Sequence, residues 1–184
     1  MAAGLIGMGY WRNLLEPQYP DVACFVDDSW SEAERQTALQ YLSRGRPLHY
    51  WMGMERCLLG CGEHLHITGC TDGTYYWPES LLHYLKQHAV RLPDTIIHHL
   101  HQQPAFPIDA AEAIEETAQT DFCWWKNQRG WQTSVTSLQY LSQQEIRGFL
   151  RRYDCRQIDY SGLTSATDNT ALVSMVAALR QLVS

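Results

Sequence analysis

The sequence predicts a single α+β domain with a mainly antiparallel sheet and about five helices packed around it. Two kinds of observation predict it. Short β-prone runs alternate with capped helical segments, and turn signals such as Asp72-Gly73 and Asn127 to Gly130 sit between neighbouring strands. No internal repeat, low-complexity tract or linker divides the 184 residues, so one domain spanning 1–184 is expected.

Met8 is an alternative start to Met1, and in that case the residues of the 1–9 run (MAAGLIGMG) that precede it would be poorly ordered. Ser31 and Glu34 stand at capping-box spacing and Gly45 follows the last turn, which predicts a helix over 32–44. Leu48, Tyr50, Met52 and Met54 alternate with His49, Trp51 and Gly53 as one partly buried strand. A Cys- and Gly-rich turn follows at 57–62, and 64–77 reads as a β-hairpin turning at Asp72-Gly73. Pro78 then suits the first helical position of a segment reaching Ala89, with Leu81, Leu82 and Leu85 on its apolar face.

Pro93 opens a helix to Gln102, and Asp109 with Glu112 opens another to Gln119. The run from Asp121 to Val135 reads as two strands around Asn127 to Gly130. Ser142 and Glu145 cap a helix over 143–153, with Ile146, Phe149, Leu150 and Tyr153 on its buried side; a final amphipathic helix is expected over 168–182.

Formal charge is −6, and Lys and Arg are absent from Leu92 to Trp125, where Asp94, Asp109, Glu112, Glu115, Glu116 and Asp121 accumulate. An acidic chain is a poor match to phosphate, so nucleic acid is disfavoured as a partner. No run approaches the roughly 18 apolar residues of a membrane helix and no export signal is evident, which makes the cytoplasm the expected location. Six cysteines are too sparse for a disulfide scaffold and are expected as free thiols.

The densest chemical information lies in Cys57-x3-Cys61-Gly62 followed by His83-x4-His88. Two thiols on a tight turn and two imidazoles near a helix end suit a tetrahedral zinc ion, because a curved turn converges short side chains. Residues five apart can share a metal where the last helical turn tightens or unwinds. One structural zinc is a candidate cofactor, with His64, His66 and Cys70 as competing ligands; the other reading makes Cys57 and Cys61 buried apolar residues and His83 and His88 a core or capping pair. Trp77-Pro78-Glu79 is read as structural, with Glu79 at the positive helix end.

The segment 57–94 resembles a bacterial family of uncharacterised function whose signature runs Cys-x3-Cys-Gly, Thr-Asp-Gly-Thr-x-x-Trp-Pro-Glu, His-Tyr and His-x-Val-x-Leu-Pro. The matching positions are Cys57, Cys61, Gly62, Thr71 to Thr74, Trp77 to Glu79, Leu82 to Tyr84, His88, Val90, Leu92 and Pro93, with Tyr10-Trp11-Arg12 as an entry phrase. Ser80 stands where the signature has Gly. The resemblance implies a shared fold, and such small acidic families are similar to the immunity proteins of polymorphic toxin systems.

No nucleophile elbow, P-loop, dinucleotide-binding or H-E-x-x-H motif is present. The expected function is therefore a non-enzymatic protein-binding protein, an immunity-type inhibitor or antitoxin that occludes a basic toxin domain. Asp109, Glu112, Glu115, Glu116 and Asp121 would steer that partner, and Trp124 and Trp125 would anchor it. A zinc-stabilised adaptor or regulatory domain is the alternative. A Cys-dependent hydrolase or transferase is the third reading, with Cys57 or Cys61 beside His83, or Cys123 beside His98, His99 or His101.

Overall fold

The computed structural model describes residues 4–13, 16, 18–50, 53–103, 106–133, 135 and 137. The helices expected over 143–153 and 168–182 lie outside these residues. In chain order the described elements are β1 (Leu5–Gly7), a 3-10 turn (Val22–Phe25), α1 (Glu32–Leu42), β2 (Arg46–His49), β3 (Met54–Arg56), β4 (His64–His66), β5 (Gly69–Thr71) and β6 (Tyr75–Pro78). These are followed by α2 (Leu81–His88), α3 (Asp94–Gln102), α4 (Ile108–Glu112), β7 (Thr120–Asp121) and α5 (Cys123–Lys126).

Five strands form one sheet in the order β2-β5-β6-β1-β7, and β3 and β4 form a separate antiparallel pair. The main sheet is mixed: β2, β5 and β6 run antiparallel, whereas β1 is parallel to both β6 and β7. The α+β class stands, with a sheet less antiparallel than the turn signals imply. Parallel neighbours sit far apart in sequence, so no hairpin turn advertises them.

Side chains along β6 alternate between the two faces of the sheet. Tyr75 and Trp77 join the principal core, in which Tyr41, Leu42, Tyr84, Leu85, Ile96 and Leu100 bring in α1, α2 and α3. Tyr76 points the other way and packs with Leu5 and Leu48 against Ile114, Ala118 and Phe122. Helices thus cover one face, and the chain around 114–122 covers the other.

The first residues correct an expectation. Leu5–Gly7 is an inner strand, and Leu5 and Met8 are fully buried. Gly7 permits this, since a Cβ there would overlap the Phe122 ring.

The expected strand from 48 to 54 divides into β2 and β3, and 64–77 is two separate units. His64–His66 pairs with Met54–Arg56, whereas the hairpin around Asp72-Gly73 joins Gly69–Thr71 to Tyr75–Pro78. Pro78 ends β6 and does not open α2, which starts after a turn at Glu79-Ser80. α4 stops at Glu112, well short of Gln119.

Cys123–Lys126 is a helical turn and not a strand. Its Trp125 ring lies 5.2 Å from Trp11 and 5.6 Å from Phe25, and its indole N–H donates to the Tyr10 carbonyl at 2.6 Å. Core packing overrides the β-propensity of an aromatic run here.

Candidate metal centre

The loop between β3 and β4 carries both thiols. The Cys57 N–H donates to Glu63 O at 3.0 Å, extending the ladder by one rung, and the Gly60 N–H donates to Cys57 O at 3.1 Å. Gly60 and Gly62 have φ of 79° and 85°, so the chain curls tightly on both sides of Cys61. That curl brings Cys61 back over Cys57.

The two imidazoles come from α2. His83 and His88 are five residues apart and would diverge on a regular helix, but His88 is the last helical residue. The next backbone N–H, of Ala89, bonds to Tyr84 O, five residues back, and Ala89 is left-handed at φ 48°. The widened final turn lets both rings reach one point, as the five-residue spacing requires.

Cys57 Sγ lies 3.2 Å from His88 Nε2, Cys61 Sγ lies 3.3 Å from His83 Nε2, and the two Nε2 atoms are 3.2 Å apart. All four donor atoms fall within 4.8 Å of one another. A tetrahedron with Zn–S of about 2.3 Å and Zn–N of about 2.05 Å has S···N edges of about 3.6 Å and an N···N edge of about 3.4 Å. The three distances above come within a few tenths of an ångström of those edges, and with all four donors inside 4.8 Å the set could hold a metal ion. Among the described residues it is the one such grouping of His, Cys, Asp and Glu.

The competing ligands stand elsewhere. His64 and His66 are exposed on β4, and Cys70 is buried on β5, where burial pushes its thiol up to about 11.

Electrostatics fit a cation better than a bare cluster. Burial holds both His83 and His88 below the usual histidine range, so the rings are neutral donors near pH 7; the neighbouring His88 lowers His83 further. Burial pushes the Cys57 thiol up to about 11. Two neutral imidazoles and two thiols converge here, and a divalent ion is the charge that would ionise both sulfurs.

A link the sequence does not advertise supports the centre. The Tyr84 hydroxyl accepts the Leu58 N–H at 3.1 Å, fastening the thiol loop to the middle of α2. The pairing of Tyr84 with His83 in the signature segment is its one sequence trace.

The thiol-hydrolase pairs divide by exposure. Cys57 is 1% exposed and closed to a substrate, whereas Cys61 is exposed with His83 Nε2 3.3 Å away. The exposed Cys123 thiol is raised chiefly by its hydrogen bond to Asp121, which makes it a poorer nucleophile.

The residues expected to meet a partner divide. Asp109, Glu112, Glu115, Glu116 and Asp121 are all exposed. The backbone beneath them is tied to β2: Arg46 donates to the Ala111 and Ile114 carbonyls, and His49 Nε2 lies 2.9 Å from Glu116 O. Trp125 is fully buried and is not a surface anchor, and Trp124 is half-buried against the core.

The histidine run at 98–101 also divides. His98 and His101 are exposed, whereas His99 Nε2 lies 2.9 Å from Asp72 Oδ2. Asp72 is fully buried and also accepts from the Tyr41 hydroxyl and the Thr74 and Tyr75 N–H groups.

Comparison with protein-family models, curated proteins and solved structures finds no match to this chain.

Proposed function

We propose that the chain is a zinc-stabilised domain with an adaptor or regulatory role, in which Cys57, Cys61, His83 and His88 hold one structural zinc ion. The approach of four donor atoms from two separate elements to within 4.8 Å of one another, with three of the distances near the edge lengths of a tetrahedron, carries this reading. Four protein ligands close the shell and leave no open position for a substrate or activated water, which is the structural class of zinc site.

The fold supplies a reason for the ion. A two-stranded hairpin is at best marginally stable alone, and β3–β4 is not part of the main sheet. Zinc would clamp its loop to the end of α2 and hold the hairpin as a fixed arm. Met54, Arg56, His64 and His66 are exposed along that arm, while Leu65 is buried beneath it.

The exposed carboxylates of the 109–121 segment support a second reading, the immunity-type inhibitor. They would attract a basic partner, and their backbone is positioned by Arg46 and His49 whether or not zinc is bound. The two readings are compatible in one molecule.

An intact native mass spectrum of the protein isolated from its source cells tests both. The expected result is one zinc per chain in the wild type and none in Cys57→Ser. A wild-type chain carrying no metal overturns the zinc reading, and a stoichiometric basic second chain supports the inhibitor reading.

A further inference from the structure

The two sulfurs of the metal centre are unequal in a way that bears on oxidation. Cys57 is 1% exposed, whereas Cys61 is exposed in a run from Gly60 to His64 that is exposed throughout. A Cβ added at Gly62 would meet nothing within 4 Å, so the space beside Cys61 is open. The two sulfurs belong to one set of four donor atoms that all lie within 4.8 Å of one another.

We propose that Cys61 and Cys57 form a peroxide-sensitive pair in which Cys61 is oxidised first, Cys57 resolves it as a disulfide, and the zinc is released. This rests on the zinc reading above and adds a modification site and a means of control to it.

The oxidant is hydrogen peroxide. The Cys61 thiolate attacks one peroxide oxygen; an S–O bond forms, the O–O bond breaks, and hydroxide leaves, giving a sulfenic acid. The Cys57 thiolate then attacks the Cys61 sulfur; an S–S bond forms, the S–O bond breaks, and a second hydroxide leaves. Two thiolates lose two electrons, the peroxide gains them, and two protons from solvent convert the two hydroxides to water.

His83 and His88 alone are two ligands of the four a closed zinc site needs, so the ion departs. The glycines on either side of Cys61 let it close the remaining distance to a disulfide bond. The Leu58 N–H to Tyr84 hydroxyl bond survives the reaction and keeps the loop near α2 for re-reduction.

The test exposes the zinc-loaded full chain to hydrogen peroxide while a chromogenic chelator reports free zinc, followed by mass analysis of the peptide containing both cysteines. The expected result is release of one zinc equivalent together with loss of two hydrogen masses from that peptide, both reversed by dithiothreitol. Cys61→His keeps four ligands but has no second thiol, and it should retain its zinc under the same treatment. Zinc that stays bound in the wild type, or leaves at equal rates from both proteins, overturns the proposal. Protein with no zinc before peroxide is added overturns the zinc reading and this inference together; zinc that is bound and survives overturns the inference alone.

Discussion

At the scale of single residues, Asp72 shows how much one side chain can be asked to do. Its Oδ1 accepts the Thr74 and Tyr75 N–H groups at 2.9 and 2.7 Å, shaping the β5–β6 turn. Its Oδ2 lies 2.9 Å from both the Tyr41 hydroxyl and His99 Nε2, tying that turn to α1 and α3. Gly73 completes the turn at φ 90°, and a Cβ there would come within 2.6 Å of Ala110 O. A turn at Asp72-Gly73 was legible in the sequence, because Asp followed by Gly is a local signal. The two long-range partners were not, since nothing local in His98-His99-Leu100-His101 marks which histidine faces inward. Asp72→Ala should cost about 3 kcal/mol, because it leaves the Tyr41 hydroxyl and the Thr74 and Tyr75 N–H groups without their acceptor. Denaturant unfolding checks this, and a loss below about 1 kcal/mol would show that the turn and both helices hold without it.

At the scale of elements, periodicity and capping located most segments in the first hundred residues but did not pair them. The extended character of 64–77 is real, yet it belongs to three strands in two sheets, β4 in one and β5 and β6 in the other, with the boundary between His66 and Gly69. Side-chain period reports an extended backbone and is silent about its neighbour. β1 escaped notice because a three-residue strand among glycines has too little pattern to read, and α5 because its aromatic composition suits a strand. The grouping of Cys57, Cys61, His83 and His88 was more legible than the fold around it, because thiol and imidazole spacing suggests a shared ligand set. What the sequence left open was the host element: the cysteines lie in the loop of a hairpin outside the main sheet. That placement predicts a local effect of metal removal. In hydrogen exchange with and without chelator, amides of 54–66 should accelerate most on chelation, and those of β5, β6 and the first turns of α2 markedly less. Uniform acceleration through the main sheet would mean that the centre is integral to the whole core and not a clamp on one arm.

At the scale of the molecule, the question is how far a local clamp supports global stability. The principal core joins the two regions: Cys57, Leu58 and Leu65 from the hairpin pack in the same cluster as Tyr84 and Leu85 of α2 and Trp77 of the sheet. Opening the hairpin therefore exposes part of the main core, and zinc that binds the folded chain stabilises more than the loop it touches. Free zinc at about a thousandfold above its Kd adds about 4 kcal/mol through linkage, reduced by any binding to the unfolded thiols and imidazoles. In a domain of this size each kcal/mol moves Tm by about 2–4 °C, so the expected rise from zinc-free to saturated protein is about 8–16 °C. The rise should continue logarithmically as free zinc increases, because each tenfold increase in ligand adds about the same free energy. Calorimetry in zinc buffers, with Cys57→Ser as the comparison, measures it. A shift that is equal in the variant would assign the effect to zinc bound elsewhere. A wild-type Tm that stays constant while 54–66 opens on chelation would place the ion on an arm whose folding is independent of the rest.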